Sequence, residues 1–282
     1  MDLSIIITYY SGYNVIVKCL EELQKALNET DISTETIIVN DNPDENLEQL
    51  LQCFSGIRII NHEKNQGHPA ACNTGAKNAI GNLLLFMDCD IFVTVGWLNN
   101  LLNTYYTQEK VGAVSSMILD AASGRIHSAG IEIHKVDFLK VMRGNHLSLI
   151  SDDCIESNFL SSACLLIPKE IFVFIKGYDE VFFNSDGDLD ITHRIREAGY
   201  RLLTACKSVV YHKGRVAGTM RNLSVNDTKA LLFRKWGCSL PDGLIAIQKR
   251  FCEFKQKNQL SKEYVVINVN KTLFLEDYIL TC

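Results

Sequence analysis

Proline is scarce in this chain, 4 residues in 282, and no stretch of low complexity interrupts it, which excludes Pro-rich linkers between independent modules. A basic surplus is missing too. With 28 Lys and Arg against 33 Asp and Glu, the formal charge is -5, which argues against a nucleic-acid partner held by phosphate neutralisation. No apolar run approaches the roughly 20 residues needed to span a bilayer. Met1 to Tyr10 lacks the basic flank of a signal peptide. Ten cysteines are present, yet none forms a Cys-x-x-Cys pair. Several sit in apolar runs such as Ala163-Cys164-Leu165-Leu166-Ile167, as reduced, buried thiols do. These absences imply a reducing, cytosolic compartment. Also absent are Gly-x-Gly-x-x-Gly after the first apolar run, where Tyr9-Tyr10-Ser11-Gly12-Tyr13-Asn14 stands, and any Walker A sequence. A dinucleotide oxidoreductase, a P-loop kinase and a sugar nucleotidyltransferase with a Gly-rich basic loop are thereby disfavoured. So is a phosphohydrolase with a nucleophilic Asp at the position of Thr8.

What is present is an alternation of two hydrophobic periods. Strands are predicted at Leu3–Thr8, Thr36–Asn40, Ile57–Asn61, Leu83–Met87 and Val111–Met117. Helices are predicted between them, near Val15–Leu27, Glu45–Cys53, Pro69–Ile80 and Gly96–Tyr106. Such alternation implies an α/β fold with a mostly parallel sheet and a crevice at the carboxyl ends of its strands. After residue 120 the rhythm changes. Hairpins are predicted within Asp120–His146 and a strand over Phe159–Ile167. Helices are expected at Pro168–Ile175 and Leu189–Ala198, short strands at Arg201–Ala205 and Ser208–Tyr211, and a helical stretch from Asn226 to about Lys257. Val265–Val269 reads as a terminal strand.

The strongest local signal is Leu83-Leu84-Leu85-Phe86-Met87-Asp88-Cys89-Asp90, five apolar residues that stop at two carboxylates. The run suits a strand buried on both faces. Residues i and i+2 of an extended segment point the same way, so Asp88 and Asp90 can face one hard cation. Asp also starts turns and caps helices, so the pair gains weight only from its company. Asp41 follows the second strand, Asp186, Asp188 and Asp190 open a predicted helix, and His212 follows an apolar run.

Taken in order, Ser4-Ile5-Ile6-Ile7-Thr8, Ile37-Ile38-Val39-Asn40-Asp41-Asn42, Asn65-Gln66-Gly67 with Ala70-Ala71-Cys72-Asn73-Thr74-Gly75, and Asp88-Cys89-Asp90 form an ordered set. It continues with Gly177-Tyr178-Asp179-Glu180, Asp188-Leu189-Asp190 with Arg194, Ala198-Gly199-Tyr200-Arg201-Leu202 and Tyr211-His212. Over about residues 3 to 215 this set resembles the family 2 glycosyltransferases of the GT-A fold. The resemblance implies a metal-dependent, inverting transfer from a nucleoside-diphosphate sugar, commonly a UDP-sugar, to a glycan, lipid-linked or protein-linked hydroxyl. It implies Mn²⁺ or Mg²⁺ held by Asp90, Asp88 and His212, with Asp88 also near the ribose. Asp41 would read the nucleobase, Thr8 and Tyr10 would line the base pocket, and Asn65, Gly67 and Asn73 would frame the nucleotide. Asp188 would be the catalytic base, and Asp190–Arg194 a structural i,i+4 pair.

One position departs from the pattern. Family members carry a Glu just before the base, and here Gly187 stands there, with Asp186 one residue earlier. The departure keeps an alternative open, a catalytically impaired relative that binds a nucleotide sugar or a protein partner without turnover. Trp97 and the hairpin segment with Arg125 and His127 read as packing and turn. The expected organisation is a catalytic domain over 1–220, split into a nucleotide-binding half (about 1–118) and an acceptor-binding half (about 119–220), followed by a C-terminal helical extension (221–282). Lys235-Trp236-Gly237 is expected to pack that extension onto the domain. Peripheral contact with the inner face of the membrane is compatible with a lipid-linked acceptor.

Overall fold

A computed structural model describes residues 1–131, 143–184 and 186–214, together with 231–232, 235–236, 267–268 and 272–273. The helices are α1 (Tyr13–Leu27), α2 (Glu48–Cys53), α3 (His68–Asn78), α4 (Trp97–Thr107), α5 (Lys169–Phe174) and α6 (Gly187–Glu197). The strands of the main sheet are β1 (Leu3–Tyr9), β2 (Thr34–Asn40), β3 (Ile57–Asn61), β4 (Leu83–Asp88), β5 (Ile91–Val93), β6 (Val111–Asp120), β7 (Ile126–Ser128), β8 (Cys154–Glu156), β9 (Cys164–Pro168) and β10 (Arg201–His212). Their spatial order is β3-β2-β1-β4-β9-β6-β10-β5, with β7 beside β6 and β8 beside β10.

β1 to β4 pair in parallel, as do β6 and β10. Between these two blocks lies β9, antiparallel to both β4 and β6. The fold is therefore α/β with a mixed, mostly parallel central sheet flanked by helices.

Period-two alternation along the strands supplies both faces. Leu3, Ile5, Ile7 and Tyr9 pack with α1, α2 and α4 through Leu20, Leu50 and Leu101. Ile6, Val39, Leu84 and Phe86 pack against α3, α5 and α6 through Ala71, Phe172 and Ile191. Helix α3 lies close enough to β1 that a Cβ on Gly75 would meet Ile6 Cγ2 at 2.3 Å.

Several boundaries differ from the sequence reading. The predicted strand Phe159–Ile167 is a strand only from Cys164, because Phe159 instead bridges Ile131. The two short strands after residue 200 are one strand, β10, with a bulge between Ala205 and Val209. Helix α2 begins at Glu48 rather than Glu45 because the Asn42 side chain accepts the Asp44 N–H and holds a turn there. Strand β5 has no counterpart among the predicted elements. Of the expected hairpins, 132–142 lie outside the described residues, as does most of the expected extension. Within that extension 231–232 and 235–236 are helical, and Ile267–Asn268 pairs antiparallel with Thr272–Leu273. Among the described residues no helix is long and apolar enough to cross a membrane.

Candidate active site

The carboxyl ends of β1, β2 and β4 carry the first cluster. Parallel register sets Thr8 between Val39 and Asp88, and the Asp41 N–H donates to the Tyr9 carbonyl at 2.8 Å. Tyr10 follows directly, its carbonyl accepting from Asn42 Nδ2 at 2.8 Å. The Asp41 carboxylate is buried and heavily used. Its Oδ1 accepts from His62 Nδ1 at 2.7 Å and the Gln66 N–H at 2.8 Å, and its Oδ2 from the Gly67 N–H at 2.8 Å. An ionised carboxylate only accepts, so His62 carries its proton on Nδ1 and can receive one from Thr74 Oγ1, 2.9 Å from Nε2. Asp41 thus holds the Asn65-Gln66-Gly67 loop in place.

That loop needs its glycine for a reason other than a ligand. Gly67 has φ 89°, and a Cβ there would lie 2.3 Å from the Phe183 carbonyl oxygen. Gly67→Ala is expected to cost about 2–4 kcal/mol in denaturant unfolding; an unchanged midpoint would contradict this close approach. Asn65 accepts the Gly67 N–H through Oδ1 at 3.0 Å, an Asx turn that shapes the same loop.

Asn73 is redirected. Its Nδ2 donates to the Tyr178 carbonyl and to Glu180 Oε1, both at 2.9 Å, while its Oδ1 accepts the Tyr178 N–H at 2.9 Å. The amide expected to frame a nucleotide instead ties α3 to the Gly177-Tyr178-Asp179-Glu180 segment.

The second cluster forms because the chain reverses after Asp90. Strand β5 starts at Ile91 and runs antiparallel to β10, placing Ile91 opposite His212. His212 Nε2 therefore lies 3.2 Å from Asp90 Oδ1, although 122 positions separate them in the sequence. One ligand atom from each of Asp88, Asp90 and His212 falls within 4.8 Å of the others. Neighbouring ligands of an octahedral ion with bonds of about 2.1 Å lie about 3 Å apart, so the Asp90–His212 spacing suits two adjacent coordination positions. Both side chains are buried, and the Asp90 carbonyl accepts the Lys213 N–H at 3.0 Å. Asp88 is more open, with its Oδ1 3.4 Å from His68 Nε2.

The third cluster is the first turn of α6. Asp186 precedes it with φ 60°, a left-handed conformation that non-glycine residues seldom adopt. Asp188 Oδ1 accepts the N–H of the next residue, Leu189, at 2.9 Å. Burial, then the Asp186 carboxylate, push Asp188 up to about 6, against the Leu189 N–H and the imidazole of His68. Asp88 also acts on Asp188 electrostatically, so the base candidate and the strand-end carboxylates share one region. At Gly187 an added Cβ would sit 3.3 Å from Pro69 Cγ, 3.7 Å from Phe182 and 3.8 Å from Tyr178. A side chain at this position would need Pro69 Cγ to give by a few tenths of an ångström and would otherwise meet ordinary van der Waals contacts.

Two histidines, His62 and His68, escaped the sequence reading, and a third, His127, was read there as part of a turn. His62 supports Asp41. His68 connects Asp88 to the region of Asp188. Burial alone would lower its pKa, but the Cys72 sulfur and the Asp88 carboxylate outweigh burial and hold it well above 6.5. His127 packs edge-on to His212, with ring centroids 5.0 Å apart, so the hairpin segment borders the metal-ligating candidates after all. Trp97, in contrast, is core, 1% exposed. The only available signal for His68 was its place directly after Asn65-Gln66-Gly67.

The model of the glycosyl transferase family 2 matches residues 4–172, more than half of the chain. The chain belongs to that family. This family 2 chain is 30% identical over 155 residues to the O-antigen biosynthesis protein RfbC of Myxococcus xanthus, covering 52% of itself and 12% of RfbC. Against solved structures, it covers 91% of itself and 54% of GalNAc-T7, crystallised with UDP, GalNAc and Mn²⁺, at a TM-score of 0.60 and 18% identity. It covers 74% of itself and 56% of the mannosyltransferase PcManGT from Pyrobaculum calidifontis, in complex with GDP-Man and Mn²⁺, at 0.52 and 15%. These likenesses establish the GT-A fold. The chain spans a small part of RfbC and about half of each solved neighbour.

Proposed function

We propose that this chain is an inverting glycosyltransferase that moves a sugar from a nucleoside-diphosphate sugar, a UDP-sugar foremost, to a hydroxyl of a glycan, lipid-linked or protein-linked acceptor. The observation that carries the reading is the convergence of Asp88, Asp90 and His212 at a spacing suited to a divalent ion, with Asp88 near enough to act on Asp188 electrostatically. Asp90 and His212 would hold Mn²⁺ or Mg²⁺ with Asp88, which also faces the ribose. When bound, the ion neutralises charge on the leaving diphosphate as a Lewis acid.

The protein's own groups account for the rest. Thr8, Tyr10, Asn65 and Gly67 line the base and nucleotide pocket at the ends of β1 and β2. Asp41 fixes that pocket through the 65–67 loop and retains one lone pair for a pyrimidine imide N–H. With Oδ1 of Asp188 taken by Leu189, its Oδ2 is the atom to receive the acceptor's proton as the acceptor oxygen attacks the anomeric carbon. The ends of β1–β4 would form the nucleotide-binding half, about 1–118, and 119–220 the acceptor half, with 221–282 as an extension. A reducing compartment suits the buried thiols, and a lipid-linked acceptor would bring the chain to the inner face of a membrane.

A thermal-shift screen with UDP, GDP and dTDP sugars, each with and without Mn²⁺, tests the donor reading. A rise in melting temperature with a UDP-sugar that requires Mn²⁺ is expected. No response to any nucleotide sugar in the presence of Mn²⁺ would refute it. Gly187 keeps a second reading in view, binding without turnover; tight Mn²⁺-dependent binding with no release of nucleoside diphosphate under any acceptor would select it.

A further inference from the structure

Two residues that no part of the proposed chemistry uses, Lys235 and Trp236, converge on the helix that bears the base. They lie well beyond the reach of the family model, which ends at residue 172. Asp190, on the first turn of α6 and two residues after Asp188, is fully buried. Its Oδ2 accepts from Arg194 Nε at 2.9 Å and Nη2 at 2.7 Å, and Arg194 Nη1 reaches the Ile175 carbonyl at 2.6 Å. The other oxygen, Oδ1, accepts from the Trp236 indole N–H at 2.6 Å and lies 2.8 Å from Lys235 Nζ. Lys235 Nζ also contacts Asp179 Oδ2 at 2.6 Å, and the Trp236 ring meets His193 of α6 edge-on, centroids 4.7 Å apart.

These contacts join three pieces of the site. Asp179 belongs to the segment that Asn73 ties to α3. That segment leads to Phe183, whose carbonyl accepts the His68 N–H at 2.9 Å beside the donor loop. On the other side, Asp190 anchors the turn that presents Asp188. Asp186, at the N-cap position, makes no side-chain capping bond, and the turn's own side-chain acceptor is Asp188, on the Leu189 N–H. A first turn without an N-cap bond frays readily unless tertiary contacts hold it.

We propose that Lys235 and Trp236 are positioning residues for sugar transfer, a two-residue clip from the C-terminal segment that locks the first turn of α6 and so aims Asp188. The inference rests on the reading of Asp188 as the base. Charge-assisted hydrogen bonds to a buried carboxylate are strong and directional, and small errors in the placement of a base reduce turnover more than they reduce substrate binding.

The test uses the full chain with three substitutions. Trp236→Phe keeps the ring against His193 and deletes the N–H. Lys235→Met removes the bridge between Asp179 and Asp190, and Lys235→Arg restores it. Amide hydrogen exchange over residues 187–192 is measured with UDP and Mn²⁺ bound, alongside UDP release from UDP-sugars. Trp236→Phe and Lys235→Met are expected to speed exchange in that turn and lower turnover roughly tenfold or more. The KM for donor should stay within about twofold of wild type, and Lys235→Arg should recover most of the rate. Wild-type exchange in both variants, or wild-type turnover despite faster exchange, overturns the clip. Asp188→Asn run in parallel separates the two ideas. If Asp188→Asn is active, the base assignment falls and the clip is judged on exchange and rate alone. If it is inactive while both clip variants turn over normally, only the clip falls.

Discussion

Asp188→Asn is expected to lower sugar-transfer turnover by about 10³-fold or more, the upper range for loss of a general base, while donor affinity stays near wild type. Asn keeps the oxygen that accepts the Leu189 N–H and removes only the capacity to take a proton. The pH dependence follows from the same environment. With Asp188 raised to about 6, kcat/KM should fall as the pH drops through that value, because the protonated carboxyl cannot act as a base. Stability moves the other way. The folded state binds this proton more tightly than the unfolded chain does, so the contribution of Asp188 to stability is greatest below the unfolded value near about 4 and is lost as pH rises through 6. Asp188→Asn should therefore melt no lower than wild type at pH 7, and higher if the burial cost dominates. An active Asp188→Asn would refute the base; an inactive one that also melts far below wild type would show instead that Asp188 holds the fold.

The second large effect is expected at Asp90. Stripping divalent ions with EDTA should abolish transfer, and added Mn²⁺ or Mg²⁺ should restore it. Asp90→Ala should cost at least about 10²-fold at any metal concentration tried, in line with losing one well-placed electrostatic group at the leaving diphosphate. His212→Ala, which leaves both carboxylates, should cost less and be partly rescued by higher Mn²⁺. The ordering comes from charge: Asp90 and His212 are buried 3.2 Å from one another, but only Asp90 brings a negative charge to a hard cation. Full activity of thoroughly chelated protein would remove the metal from the mechanism, and with it the role proposed for the Asp90–His212 pair.

Much of the fold was legible because parallel strands buried on both faces advertise themselves. Leu83–Met87 is an uninterrupted apolar run and Leu3–Thr8 is broken only by Ser4 and closed by Thr8, and their ends in the structure fall within a residue of those predicted. What escaped was set by distant partners. Three residues, Ile91–Val93, are too short to announce a strand, yet their pairing with β10 brings His212 to Asp90. Nothing in Phe159–Ile167 says that only its second half joins the sheet, or that it runs against both neighbours. At the site, the sequence singled out Asp88, Asp90 and His212, and the structure brings these three together. At Asn73 the structure gives the amide partners within the chain, and the sequence was silent at His62, whose partner Asp41 is 21 positions away.

The antiparallel strand β9 bears on how the chain assembles during synthesis. Its residues, 164–168, emerge only after β1, β2, β3, β4 and β6 have all been made. Until then β4, apolar along both faces, presents an unpaired edge, and β6 lacks its neighbour on the same side. Exposed apolar edges recruit other strands, and pairings between remote segments close slowly. The ribosome-bound chain therefore passes through a stage in which β4, the strand that leads to Asp88, has an open apolar edge. A holdase that shields β4 until residue 168 clears the exit tunnel is expected to raise the folded yield while leaving the folded chain unchanged.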